Sequence, residues 1–204
     1  MEITGVVLAG GNSRRMGRDK SRLELAGKSM LKHMIDLLIS VTPRVVIAAG
    51  KQRGDEPAGI RVVEDRYPGC GPLAGVHAAL NETAAERILV VTCDLPFMMP
   101  GLLAELCTRS KSYDVLVAES EQGVEPLVGV YGSACLEQLE EFLGKKKYKA
   151  KDFLKVTRLN IGVFSWRHAR PFDRKGISFF NINDRKAYEK ALSMMTGKKE
   201  TDRG

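Results

Sequence analysis

The residues best suited to chemistry lie near the amino end, where Gly10-Gly11 is followed by Arg14, Arg15, Arg18 and Lys20. Glycines leave backbone N–H groups free to approach an anion closely, and guanidinium and ammonium groups supply the fixed positive charge that a polyphosphate needs. The string follows directly on the short apolar run Ile3–Ala9, so the loop is expected at the carboxyl end of a strand. Two carboxylates follow runs of the same kind. Asp94 comes after Ile88–Val91, and a carboxylate at a strand end can hold Mg²⁺ together with phosphate oxygens and water. A turn at Asp94-Leu95-Pro96, or a cap ahead of Pro100, is the plainer reading of the same residue. Asp65 comes after Ile60–Val63, where Glu64-Asp65-Arg66 could equally be a solvated turn. Gly71-Pro72-Leu73-Ala74-Gly75 opens a helix, and its free N–H groups either meet a base or phosphate or merely start the helix.

Two commoner phosphate loops fail against these residues. A GxGxxG pattern starting at Gly10 would need glycine where Asn12 stands, and one starting at Gly11 would need it at Ser13. Gly27-Lys28-Ser29 mimics the end of a Walker A loop, but Arg22 holds the place of its first glycine and no strand immediately precedes it.

The elements that must position these groups alternate along the chain. Ile3–Ala9, Arg44–Ala49, Ile60–Val63 and Ile88–Val91 read as buried strands rich in branched residues. Between them, Ser29–Ile39 carries Met30, Leu31, Met34, Leu37 and Leu38 at helical spacing behind a Ser29 cap, and Leu73–Leu80 reads as a second helix. Pro100 opens a further helix. Tyr113–Ala118 and Leu127–Tyr131 are two strands in succession, Leu136–Leu143 is helical, Ile177–Ile182 reads as a late strand, and Asp184–Met195 as a closing helix capped by Asp184. This predicts an α/β fold with one doubly wound, mostly parallel sheet and an antiparallel excursion in its second half. Asn181 and Asn183 would then share one strand face as a buried pair in need of partners, close to the acceptor.

A chain of 204 residues with 44% hydrophobic composition fits one domain, expected over residues 1–196, with a frayed tail over 197–204. The amino end lacks a basic leader, and no apolar run approaches the roughly 18 residues of a membrane span, so a cytoplasmic protein is expected. The four cysteines, Cys70, Cys93, Cys107 and Cys135, stand far apart; neither a zinc site nor a disulfide framework is expected, only reduced and mostly buried thiols. His33, His77 and His168 are scattered, and structural roles are expected for each. The net charge of +7 gathers in the early arginines and in Lys145, Lys146, Lys147, Lys149 and Lys151. That lysine cluster is either a solvated loop or a clamp for an anionic acceptor, and Tyr148 alone lacks the aromatic interleaving of a single-strand nucleic-acid binder.

Leu8-Ala9-Gly10-Gly11, Arg14-Arg15, Met16-Gly17 and Lys20 together resemble the signature of the molybdenum cofactor guanylyltransferase family. The resemblance continues through Leu23-Glu24-Leu25, Gly27-Lys28, Val63-Glu64-Asp65, Gly71-Pro72-Leu73-Ala74-Gly75, Cys93-Asp94-Leu95-Pro96 and Asn181-Ile182-Asn183, in order along nearly the whole chain. It implies a Rossmann-like nucleotidyltransferase sheet, GTP as donor, molybdopterin as acceptor and Mg²⁺ as metal. Leu8, Ala9, Gly10, Lys20 and Asp65 then match nucleotide-binding positions, and Gly11, Gly71 and Asp94 are expected in the same nucleotide site from their own chemistry. Asp94 matches the magnesium carboxylate, and Lys20, Arg15 and Asp94 form the catalytic set. Where the family often carries an asparagine after the second strand, this chain reads Ala48-Ala49-Gly50-Lys51, so a CTP donor or another small phosphate acceptor, such as a sugar phosphate, is the competing expectation. A nucleotide- or nucleic-acid-binding module without catalysis is the reading from a different class. The expected partners are GTP and molybdopterin, with transient contacts to enzymes that supply or receive the cofactor, and neither nucleic acid nor membrane.

Overall fold

The computed structural model describes residues 2–9, 20–49, 57–146 and 148–196. The first apolar run becomes β1 (Ile3–Leu8), buried at every position, as a strand covered on both faces must be. A hairpin of β2 (Glu24–Leu25) and β3 (Lys28–Ser29) follows. It turns through Ala26 and Gly27 at φ 49° and 78°, the left-handed pair that a two-residue hairpin loop requires. α1 (Met30–Ile39) begins behind Ser29, whose Oγ accepts from the Lys32 amide at 3.1 Å. Then come β4 (Arg44–Ala49), β5 (Arg61–Glu64), α2 (Pro72–Thr83), β6 (Arg87–Thr92) and α3 (Pro100–Arg109). The second half holds β7 (Val115–Ser120), β8 (Gly123–Gly132), α4 (Leu136–Gly144), α5 (Ala150–Val156), β9 (Ile161–Phe164), the short α6 (Trp166–Ala169) and α7 (Arg185–Thr196).

The main sheet runs β5-β4-β1-β6-β8-β7-β9. β1, β4, β5 and β6 pair parallel, β7 and β9 pair parallel, and β8 runs against both β6 and β7. The expected antiparallel excursion is therefore a single reversed strand among the described residues, and β7 points the same way as β6. From β1 the chain builds outward through β4 and β5, then returns to place β6 on the other flank of β1. That reversal is a topological switch point, which opens a crevice beyond the strand carboxyl ends.

Helices cover both faces. Leu31, Met34, Ile35 and Leu38 of α1 pack with Leu102, Leu103 and Leu106 of α3 on one side. Leu73, Val76 and Leu80 of α2 pack with Leu139 and Phe142 of α4 and Phe153 of α5 on the other. A smaller cluster joins Leu25 of the hairpin, Met30, Ile182 and Ala191 of α7. No helix among the described residues is long and apolar enough to cross a membrane.

Several expectations are corrected. Ile177–Ile182 is not a strand: the amides of Ile177 and Ser178 donate to the Asp173 carboxylate at 3.1 and 2.8 Å, and that of Ile182 donates to the Asp94 carbonyl at 3.0 Å. With these amides engaged elsewhere, they are lost to a ladder. β9 replaces it as the parallel neighbour of β7; Gly162 interrupts the branched pattern there because a Cβ would stand 2.7 Å from Tyr113 Cδ1. The lysine-rich stretch is not simply a loop, since α5 starts within it and buries Phe153. Of the four thiols only Cys135 is buried, the other three being half-buried and all four free. α7 starts as expected, with Asp184 Oδ1 accepting from the Ala187 amide at 2.8 Å.

Candidate functional site

The carboxyl ends of β1, β4, β5 and β6 lie along one rim. Register places Leu8 opposite Ala48 on one side and Thr92 on the other, and Ala49 opposite Glu64. Asp65 and Asp94, each just past its strand, therefore flank the point where the chain leaves β1. Leu8 and Ala9 are 6% and 5% exposed, so their side chains belong to the core, and the Ala9 amide donates to the Ala48 carbonyl at 2.9 Å. Gly10, Gly11, Arg14, Arg15, Gly50, Lys51 and Lys147, and the side chain of Lys20, lie outside the described residues, as does the tail 197–204.

Asp94 is held on both sides. The Thr92 hydroxyl donates to its Oδ1 at 2.5 Å, and its carbonyl accepts from Ile182, whose side chain is fully buried. No donor among the described residues reaches Oδ2. Asp94 is not the cap of α3, which is Met99. No group of three or more His, Cys, Asp and Glu able to hold a metal occurs among the described residues. A cation on Asp94 would accordingly draw its remaining ligands from phosphate oxygens and water, as Mg²⁺ does at polyphosphates.

Asp65 is half-buried, and its Oδ1 is fully buried without a hydrogen-bond donor among the described residues. Burial pushes its carboxyl above the ordinary value of 3.8, while nearby His77 pulls the other way. The oxygen lies over α2 at Gly75, where a Cβ would stand 3.0 Å from Leu8 Cδ2 and 3.6 Å from Asp65 Oδ1. Glycine at that position lets the helix approach the ends of β1 and β4. His77 is fully buried, with Nε2 3.1 Å from Glu140 Oε1, its ring edge-on to Tyr67, and Nδ1 without a partner. A buried carboxylate oxygen without a donor is costly until one arrives, and a ligand N–H or O–H would supply it.

Gly71 caps α2 at φ 79°, ψ −173°, a region only glycine adopts readily. Its α-carbon is covered by the chain: a Cβ there would stand 2.9 Å from the Tyr148 carbonyl oxygen. The lysine-rich segment thus docks on the amino end of α2, which sequence did not foresee. Asn181 and Asn183 are exposed rather than a buried pair, but they flank Ile182 and so lie beside Asp94. Sequence also missed Thr92, whose hydroxyl two residues before Asp94 was the available signal. His33 bonds the Leu25 carbonyl at 2.7 Å and His168 the Ser165 hydroxyl at 3.0 Å, both structural.

A doubly wound sheet with a glycine-rich loop after its first strand and carboxylates past two others has the architecture of the nucleotidyltransferases. Residues 5–161 match the MobA-like NTP transferase domain. The chain is 39% identical to the probable molybdenum cofactor guanylyltransferase of Pelotomaculum thermopropionicum, over 90% of this chain and 88% of that one. It is 31% identical to the molybdenum cofactor guanylyltransferase of Desulfosudis oleivorans, over 93% and 94%. The crystal structure of molybdopterin-guanine dinucleotide biosynthesis protein A from Archaeoglobus fulgidus superposes with a TM-score of 0.83 at 26% identity, covering 96% of this chain and all of that one. CMP:2-keto-3-deoxy-manno-octonic acid synthetase complexed with CTP, at 12% identity and TM-score 0.76 over 98% and 100%, shares the fold alone. The chain belongs to the MobA-like NTP transferases, in the family of the molybdenum cofactor guanylyltransferases.

Proposed function

We propose that this protein transfers GMP from GTP to molybdopterin, the organic part of the molybdenum cofactor, and releases pyrophosphate. The carrying observation is the placement of Asp65 and Asp94 on one rim beside the exit of β1, each with an oxygen that no described donor reaches. The reading is supported by family membership along most of the chain.

An oxygen of the acceptor's terminal phosphate attacks the α-phosphorus of GTP in line. A new P–O bond forms as the bond from that phosphorus to the bridging oxygen of the β-phosphate breaks. The attacking phosphate is already ionised, so no side-chain base is needed, and the electron pair departs on pyrophosphate. The protein's task is to align two polyanions and offset the charge that builds on the leaving group. Asp94, oriented by Thr92, would hold Mg²⁺, which when bound screens phosphate charge. Lys20 and Arg15 supply fixed positive charge to offset that on the leaving pyrophosphate, and glycine at positions 10 and 11 allows close backbone approach to the phosphates. Asp65 accepts from the nucleoside, and the amides at the start of α2, behind Gly71, face the same ligand. The same reading carries a cytoplasmic location and brief contacts with enzymes that supply and receive the cofactor.

Calorimetric titration with GTP, CTP and ATP, each with and without Mg²⁺, tests the donor. Selective, magnesium-dependent GTP binding weakened by Asp94→Ala is the expected result. Preference for another nucleotide, or tight GTP binding indifferent to both magnesium and Asp94, overturns the proposal.

A further inference from the structure

A cavity of about 330 Å³ opens beside the carboxyl end of β7, between the β7–β8 turn, α6 and the segment leading to Phe180. Because β7 points the same way as β6, this cavity is on the rim that carries Asp94. Its aromatic lining residues are Trp166, Phe179 and Phe180. Its charged wall is Arg170, Arg174 and Lys175.

Some basic side chains on this surface are ion-paired, and the three in the cavity are not. Lys28, Lys32, Arg44, Arg61, Arg66, Arg109, Lys145 and Arg185 each sit against a carboxylate. Among the described residues none of Arg170, Arg174 and Lys175 does. Two carboxylates share the lining, and neither forms an ion pair with the three cations among the described residues. Asp173, 6% exposed, is consumed by the Ile177 and Ser178 amides, and Glu121 stands exposed on the facing turn. A cleft with flat aromatic walls and unneutralised guanidinium groups fits a flat heterocycle bearing anionic substituents.

One segment connects the cavity to the neighbourhood of Asp94. Phe180 lines it, and Ile182, two residues on, donates its amide to the Asp94 carbonyl. Two residues span at most about 7 Å. The same segment is fixed from the other side by Ser178, fully buried, whose hydroxyl accepts from the Met99 amide at 3.3 Å.

We infer that this cavity is the acceptor pocket: the ring system lies against Trp166, Phe179 and Phe180, its anionic substituents meet Arg170 and Arg174, and its terminal phosphate reaches toward Asp94. The inference rests on the proposed transfer to molybdopterin and assigns that substrate a place. Asn181 and Asn183 then stand between the two ends of the acceptor rather than forming its binding site alone.

Trp166 is the only tryptophan in the chain, so its fluorescence reports on the cavity directly. The experiment titrates the full-length protein and its R170A/R174A variant with molybdopterin, following Trp166 emission, with W166F as the optical control. Both arginines are exposed, so the double variant should fold. Quenching in the wild type, with a Kd raised about tenfold or more in R170A/R174A and GTP affinity unchanged, is expected. No quenching beyond that in W166F, or an unchanged Kd in the double variant, overturns the inference. GMP transfer measured alongside reads the proposed function separately: a wild type that quenches as expected yet transfers no GMP refutes that function and supports the pocket.

Discussion

Gly71→Ala perturbs the point where the lysine-rich segment rests on α2. Two costs add. The backbone at φ 79°, ψ −173° costs a side-chain-bearing residue about 1–3 kcal/mol. The new Cβ would also meet the Tyr148 carbonyl oxygen at 2.9 Å, and a backbone atom cannot rotate away, so the segment must move. Reduced freedom of the unfolded chain returns about 0.4–1 kcal/mol, which leaves a net loss of about 2 kcal/mol. For a chain of 204 residues that lowers the melting temperature by about 4–8 °C. Gly59 is the control: φ is 83°, but nothing lies within 4 Å of the added Cβ, so Gly59→Ala carries the backbone cost without the clash, about 1 kcal/mol net of the unfolded-chain term. Tyr148→Ala keeps the carbonyl and removes a half-exposed ring, so it should leave the gap between the two glycine variants in place. Thermal denaturation followed by circular dichroism decides. Gly71→Ala melting with Gly59→Ala would refute the docking of the segment on α2.

Asp94→Ala should lower kcat by about 100-fold or more with little change in melting temperature, and Thr92→Val by about three- to tenfold, both read in a pyrophosphate-release assay. For Asp65 the folded pKa is raised by burial, so its contribution to stability is full below the unfolded value of 3.8 and is lost as pH rises through the folded value. Asp65→Asn should therefore gain on the wild type between pH 3 and neutrality in urea denaturation, while binding GTP more weakly; a gap that does not change with pH contradicts the burial argument. Burial pushes the Cys107 thiol up to about 11 and the Cys135 thiol to about 12. At pH 8 roughly one in a thousand and one in ten thousand are then ionised, so peptide mapping after alkylation should show both modified only once the protein is unfolded.

What sequence could show here depended on how far the relevant partners lie apart. β1, β4 and β6 were legible because buried parallel strands are continuous apolar runs, and the Ser29 and Asp184 caps because a cap acts within three residues. The carboxylates were legible as residues past strand ends. Their settings were not: the missing donor at Asp65 Oδ1 depends on α2 closing over it at Gly75, and the dual hold on Asp94 depends on Ile182, far along the chain. Ile177–Ile182 looked like a strand because its pattern is apolar, but Asp173 removes its amides from any ladder. Nothing local distinguishes such a carboxylate from a surface one. β9 was missed for the converse reason, since Gly162 weakens the branched pattern and is required by Tyr113 packed above it.

The segment from Asp173 to Ile182 links the two halves of the site. At one end the Asp173 carboxylate folds the chain back on itself, in the middle Ser178 fastens it to the start of α3, and at the far end Ile182 fixes Asp94. Two substrates that are both anionic repel each other, so a site that joins them must hold each by its own charges and still bring them within bonding distance. A carboxylate placed for a cation on one side of this segment and three unneutralised cations on the other satisfy that requirement. The backbone between them is hydrogen-bonded at both ends and buried at Ser178 and Ile182, so their separation is set by the fold.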